Sequence, residues 1–254
     1  MHNFLGKNAI VIGGSGGIGA SISLMLAELG SNVIVHGSIE SEKLDLLLNE
    51  MKKKSPNKNV KHGSLIQSFS INDFSVIKKS PLMEAVSKCD ILCVCYGPFV
   101  QKPLNETTFE DWQTVALLDY ALPGICVSAA LENMKKNQWG RILLMGGTRT
   151  HNISAFRTNA AYAGAKTGVC SLVKSVAEFY AADGITCNAI LPGFVDTEYQ
   201  SEELKEMLAK KMPTGKIISK ESVAKIAKVL ISSQEINGTL FTLDSGWHPS
   251  YVSY

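Results

Sequence analysis

A chain of 254 residues, 45 % hydrophobic and 19 % charged, has the composition of a globular protein with a substantial core, in one large α/β domain or two small ones. A net charge of +2 is too small to mark a nucleic-acid binder, and the densest basic run, "KKKSPNKNVK" (52–61), reads as a solvated helix exit. The six cysteines lie mostly in apolar runs without Cys-x-x-Cys or zinc spacing, which implies free thiols in a reducing compartment and no metal site.

The first residues, "MHNFLGKNAIVIGG", meet a glycine turn by residue 13, too soon for a secretory signal. No uninterrupted apolar run approaches the ~18–20 residues of a membrane span. The expectation is a cytoplasmic protein with no membrane partner.

In chain order, short apolar runs predict strands at 8–13, 32–37, 90–97, 140–147, 184–192 and 238–244, with a weaker one at 66–71. Most are continuously apolar, as strands buried on both faces of a parallel sheet should be. Amphipathic patterns predict helices over 18–29, 41–53, 73–88, 108–136, 158–182 and 221–232. This alternation, without a linker or repeat, predicts one α/β domain with a doubly wound parallel sheet, a Rossmann fold. Ligands of such sheets bind beyond the carboxyl ends of the strands.

The first strand runs into "VIGGSGGIGAS" (11–21), which opens the first helix. It reads as Gly14-x-Gly16-x-x-Gly19 or as Gly13-x-x-x-Gly17-x-Gly19, with Ser15 and Ile18 between. Glycines there permit a tight turn and close approach of a pyrophosphate, which free helix N–H groups and the helix dipole would hold. In its strand–turn–helix context the turn predicts a dinucleotide site. A site selective for NAD usually has an acid at the end of the second strand. Here Gly37 and Ser38 stand there, and the first acid is Glu40. That favours NADP(H), with Ser38 a donor to a 2′-phosphate, and leaves NAD(H) possible; no arginine is present to grip the phosphate.

"NAAYAGAKTG" (159–168) places Tyr162 four residues before Lys166, on one face of a helix. By itself the pattern fits an ordinary helix aromatic as well as a proton donor. Combined with "GGSGGIG" (13–19), "DILCVCYG" (90–97), "NAILPGFVDT" (188–197) and "LDSGW" (243–247), it resembles the short-chain dehydrogenase/reductase family over nearly the whole chain.

The resemblance implies NAD(P)-dependent carbonyl/alcohol chemistry and a homodimer or homotetramer. Tyr162 would be the general acid/base, and Lys166 would lower its pKa and bind the nicotinamide ribose. Pro192, Gly193, Val195 and Thr197 would hold the nicotinamide, Ser70 and Ile71 the adenine, and Gly97 would close the turn after the fourth strand. A free phenol titrates near ~10 and must come down by roughly two to three pH units to exchange protons at neutral pH. A close ammonium supplies about one to three of them.

Three departures stand out. Ile12 and Val94-Cys95-Tyr96 replace the family's Thr and Asn-Asn-Ala, which reads as one coherent change, since replacing both partners of a polar contact is nearly neutral. Gly147 stands where the family has a substrate-binding Ser, and counting thirteen residues back from Tyr162 gives Arg149. Thr148 is the expected substitute donor, with Thr150, His151 and Ser154 behind it; a loop with no donor is the alternative. Asp119 falls where the family has a helix Asn in its proton relay. Ionised, it would oppose formation of tyrosinate at Tyr162, or it could serve as an extra proton acceptor.

The helix of Tyr162 carries small residues on one side and an apolar run from Val169 to Phe179, enough for a subunit contact as well as a core. The substrate loop is expected in 198–216 and the tail in 246–254, with Phe194, Met207, Met212 and Trp247 as candidate pocket lining. The expected function is hydride transfer between NADP(H) and a small carbonyl or alcohol substrate. The alternative is a non-catalytic dinucleotide-binding sensor or assembly protein.

Overall fold

A computed structural model describes residues 4–56 and 59–247; residues 57–58 of the basic run and 248–254 of the tail lie outside the described residues. Seven parallel strands form one sheet: β1 (Asn8–Ile12), β2 (Asn32–Gly37), β3 (His62–Ile66), β4 (Ile91–Val94), β5 (Gly140–Met145), β6 (Ile185–Pro192) and, numbered last, β9 (Leu240–Leu243). Their order is β3-β2-β1-β4-β5-β6-β9, so the winding reverses between β1 and β4.

Because side chains alternate along a strand, every central strand feeds two cores. Val11, Val35, Cys93 and Leu143 face α1 (Gly17–Glu28), α2 (Glu42–Lys54) and α8 (Lys220–Ser232). Ile10, Ile12, Leu92, Val94 and Leu144 face α3 (Pro81–Val86), α5 (Leu122–Lys136) and α6 (Ala160–Phe179). Ile12 and Val94 are direct register partners, both buried in one core. The polar pair expected from the family has thus become an apolar one as a unit.

Two expectations need correction. The third strand is His62–Ile66, not 66–71. As an edge strand it is half-exposed and contains Gly63 and Ser64, so no apolar run marks it. The helix expected over 73–88 is a 3₁₀ segment, Ile71–Lys79, followed by α3, because Ser80 caps a new helix with Pro81 at its first turn.

The long helix expected over 108–136 is continuous but not uniform. α4 (Phe109–Val115) passes through a π-helical turn, Ala116–Ala121, into α5. This 28-residue run is long and apolar enough to cross a bilayer by length and composition, contrary to the sequence expectation. It lies against α6, β4 and β5 as a core helix. Beyond β6, a two-stranded parallel ribbon pairs β7 (Val195–Asp196) with β8 (Ile218–Ser219), and α7 (Glu202–Ala209) lies between them.

Asn188 fastens the sheet edge. Its amide donates to the carbonyls of Leu230 (3.3 Å) and Ile236 (2.7 Å), and its carbonyl accepts from the Thr239 amide (2.9 Å). Replacing it strands three buried backbone groups. Asn188→Leu is expected to lower unfolding free energy by about 2–4 kcal/mol in urea denaturation.

Candidate active site

The glycine turn leaves β1 through Gly13, whose φ of +70° suits glycine, and its amide donates to Nδ1 of His36 at 3.1 Å. The other ring nitrogen, Nε2, lies 2.8 Å from the Gln67 carbonyl, so the ring is neutral with its proton on Nε2. Burial lowers the His36 pKa, with the Gln67 bond pulling the other way. The imidazole also stacks on Phe69 at 4.7 Å, and Phe69 meets Tyr96 edge-on at 5.0 Å. One histidine thus ties the turn to the ends of β2 and β3, a role the sequence reading missed.

Further on, a Cβ at Gly19 would overlap the Gly13 carbonyl oxygen, so α1 can pack this closely only with glycine there. A Cβ at Gly37 would lie 3.2 Å from Ser15, which places Ser15 over the end of β2. Ser38 and Glu40 are exposed. Ser70 and Ile71 fall elsewhere than expected. Ser70 caps the 3₁₀ segment through the Asn72 amide, and Ile71 packs on the core, while Phe69 takes the place beside the turn.

Thr197 and the two residues after it reach the turn from β7. A Cβ at Gly17 would lie 3.4 Å from Cγ2 of Thr197. The Gly17 amide donates to Oε1 of Glu198 at 2.9 Å, so a carboxylate holds the amino-terminal end of α1. This stand-in anion sits where the turn was expected to hold a phosphate, and the cradle therefore fits an anionic group. Partial burial opposes the charge on Glu198, but the Gly17 amide and Lys220, 3.6 Å from Oε2, outweigh it and hold its pKa below the usual range.

At the carboxyl end of β4, α6 presents Tyr162 and Lys166. Lys166 is buried, its Nζ 3.0 Å from Oδ1 of the fully buried Asp119 on the π-helical turn. The contact is an ion pair, and Oδ2 of Asp119 has no hydrogen-bond partner among the described residues. Desolvation raises the Asp119 pKa to about 6, against the pull of Lys166. Gly97 makes room: a Cβ there would overlap Asp119 Oδ1 and lie 3.2 Å from Lys166 Nζ.

Tyr162 meets Phe99 edge-on at 4.9 Å, and Lys166 Nζ lies 5.6 Å from its ring centre. Tyr162 is half-buried. Burial first, and the Asp119 charge second, push its pKa up. The drop expected from Lys166 is therefore not present in this arrangement; the buried carboxylate offsets the lysine.

Gly147 does occupy the position facing the tyrosine, since a Cβ there would meet Tyr162 Cε1 at 3.2 Å and Thr150 Cγ2 at 3.3 Å. The two additional residues before Tyr162 are absorbed in the turn that follows, where Arg149 has φ +65°. Thr148 turns the other way: its hydroxyl donates its one proton to the Pro192 carbonyl at 2.7 Å. Thr150 is buried and bonds both the amide and the carbonyl of Gly147. Neither threonine offers a free donor toward Tyr162 here.

Pro192 and Gly193 link β6 to the ribbon, Gly193 donating to the Leu243 carbonyl at 2.8 Å; Val195 is buried in the ribbon. Of the expected pocket lining, Phe194 and Trp247 pack together at 4.6 Å, Met212 belongs to the core, and Met207 is exposed. No group of three His, Cys, Asp or Glu side chains able to hold a metal occurs among the described residues.

The short chain dehydrogenase family model matches residues 7–209. The chain belongs to that family. It is 31 % identical over 252 residues to a 3-oxoacyl-(acyl-carrier-protein) reductase of Rickettsia bellii, covering 97 % of this chain and 98 % of the relative. It is 27 % identical to a D-beta-hydroxybutyrate dehydrogenase of Rhizobium meliloti, covering 95 % and 98 %. Among solved structures, a short-chain dehydrogenase/reductase from Serratia marcescens superposes with a TM-score of 0.83 at 26 % identity, covering 96 % of this chain and 99 % of that one. Membership makes the protein an NAD(P)-type oxidoreductase of small molecules by family.

His36 gives this site a pH signature. A histidine whose folded pKa is lowered supports stability fully above its unfolded value of about 6.5, and the support is lost as pH falls through the lowered one. His36→Phe keeps the ring but loses both bonds. Its expected deficit of about 1–3 kcal/mol at pH 8, measured by urea unfolding, shrinks toward pH 5.

Proposed function

We propose that this protein is an NADP(H)-preferring reductase in which Tyr162 donates the proton to a carbonyl oxygen. The observation that carries the reading is the constellation of Tyr162, Lys166 and Asp119 beside Gly97, at the carboxyl end of β4. When bound, the nicotinamide cofactor supplies or accepts the hydride at the substrate carbon.

The residues of the chain do the rest. Tyr162 meets the substrate oxygen with its hydroxyl and gives it a proton as negative charge develops there. A phenol with a raised pKa remains protonated at neutral pH, the state that carbonyl reduction needs and alcohol oxidation does not. Lys166, paired with Asp119, would bind a ribose and return a proton to the phenol. Pro192, Gly193, Val195 and Thr197 form the wall for a nicotinamide, and Gly13, Ser15, Gly16, Gly17, Ile18 and Gly19 the seat for a pyrophosphate. The lack of an acid before Glu40, with Ser38 exposed at the end of β2, supports NADP(H) over NAD(H).

The substrate class we favour is a 3-oxoacyl compound and its 3-hydroxy product. Both relatives above act, by name, on a carbon chain oxygenated at position 3. The exposed side chains of Phe99, Ile153 and Tyr199 give an apolar approach suited to such a chain. A homodimer or homotetramer through the face of α4–α6 accords with exposed Phe109, Trp112, Ile125 and Phe179. Five buried thiols among six free cysteines accord with a reducing cytoplasm.

A second reading, a dinucleotide-binding sensor without turnover, draws on Gly147 and on the two engaged threonine hydroxyls. Losing one pre-organised donor costs roughly a hundred- to a thousandfold in rate. The deciding experiment is NADPH oxidation with a panel of 3-oxoacyl thioesters. Turnover that disappears in Tyr162→Phe, with NADPH affinity kept within about twofold, is the expected result; NADPH binding without turnover across the panel would favour the sensor.

Asp119 gives a further expectation. Its negative charge raises the Tyr162 pKa, so Asp119→Asn brings it down. In the direction of alcohol oxidation, which needs tyrosinate, the rising limb of the pH–rate profile moves to lower pH in Asp119→Asn. An unmoved limb would separate Asp119 from the tyrosine's titration.

A further inference from the structure

The residues that follow the nicotinamide wall do more than continue the chain. Glu198 lies 181 positions after Gly17 in sequence, yet its Oε1 accepts from the Gly17 amide at 2.9 Å. Its neighbour Tyr199 lays its hydroxyl against the α-carbon of Gly16, so closely that a Cβ at Gly16 would overlap it. Lys220, at the start of α8, holds the other carboxylate oxygen at 3.6 Å. Three elements therefore converge to put one negative charge at the amino-terminal end of a twelve-residue helix.

That end is the seat assigned above to a pyrophosphate, and two anions cannot share it. We propose that Glu198 is an internal anion that closes the cofactor cradle and must be expelled before a dinucleotide can bind. The inference rests on the reading that NAD(P)(H) binds at the glycine turn, and it adds that the loop 198–200 is a strap competing with the pyrophosphate. The strap sets cofactor affinity by the fraction of molecules in which Glu198 has left Gly17. It acts on the pyrophosphate end alone, so it weakens NADH and NADPH by one factor and leaves the choice between them to Ser38 and its surroundings.

A diphosphate displaces a carboxylate here for simple reasons. It carries more charge and more acceptor oxygens for the same N–H groups. The loop is also lightly held: Glu198 and Tyr199 are solvent-facing residues, with Tyr199 75 % exposed. Asp196, just before it, is tied to Lys205 of α7 at 2.9 Å, so release of the strap is passed to the helix that borders the substrate loop.

The test compares wild type with Glu198→Gln and with Glu198→Ser, which is too short to reach Gly17. Titration calorimetry with NADPH and with NADH is expected to give both variants about two- to tenfold tighter binding, by the same factor for the two cofactors. Thermal melting adds a second readout: the variants melt no higher than wild type alone, and gain more on addition of NADPH. If wild type binds NADPH and the variants bind it equally or less well, the strap is overturned, and Glu198 is a helix cap or a cofactor ligand. A gain confined to NADPH would also overturn it, because a general charge effect on the 2′-phosphate would then explain the data. If none of the three proteins binds either cofactor, the dinucleotide reading itself fails and takes the strap with it.

Discussion

Lys166 and Asp119 are both out of water, and each is the condition for the other's charge. Taking either ion into the interior alone costs several kcal/mol, and only close pairing offsets it. Around this pair the upper half of the molecule is arranged. The π-helical turn brings Asp119 inward, where a regular helix from Phe109 would have carried its side chain to a different phase. Gly97 stays without a side chain because the space beside it is filled by the carboxylate and the ammonium. Tyr120, the next residue on the turn, packs its ring on Gly168 of α6, and so fixes the helix that carries Lys166. Packing between helices and the placement of a charge are here one constraint.

The pair also decides what the tyrosine can do. In isolation an ammonium beside a phenol pulls its pKa down and prepares it to lose a proton. With a carboxylate at 3.0 Å from that ammonium, the field reaching Tyr162 is close to that of a dipole, and burial prevails. The resting phenol therefore keeps its proton at neutral pH. Gly147, which faces the Tyr162 ring, adds no hydroxyl there. Gly147 and Asp119 look like separate losses in the sequence, but in space both lie beside Tyr162 and Lys166.

Much of this was legible beforehand, for local reasons. The first strand, the glycine turn and the first helix follow one another within 21 residues, and the i, i+4 rule places Tyr162 with Lys166 whatever the rest of the chain does. The two cores follow from continuous apolar strands. What escaped was non-local or weakly patterned. β3 is an edge strand with Gly63 and Ser64 inside it, so Ile66 at its end and Phe69 just beyond it draw the reading too far along the chain. His36 gives no signal as one histidine in "NVIVHG"; its role exists only because Gly13 and Gln67 arrive from either side. The direction of the Thr148 hydroxyl depends on the Pro192 carbonyl, 44 residues away, and the seat of Glu198 on an amide 181 residues back.

The two buried or capping carboxylates give the site a common electrostatic character. Asp119 answers Lys166, and Glu198 answers both Lys220 and the end of α1, so each positive feature that would attract an anionic ligand already has a negative partner. Such a site offers little long-range steering to a dinucleotide; its selectivity must come from exchange at short range. A group arriving at the Gly17 amide has to make better bonds than the Glu198 carboxylate makes. The same logic holds beside Tyr162, where the ammonium of Lys166 is already paired with Asp119. Both pairings are interactions the chain makes with itself, and at Gly16 and Gly97 a side chain would collide with the groups that make them.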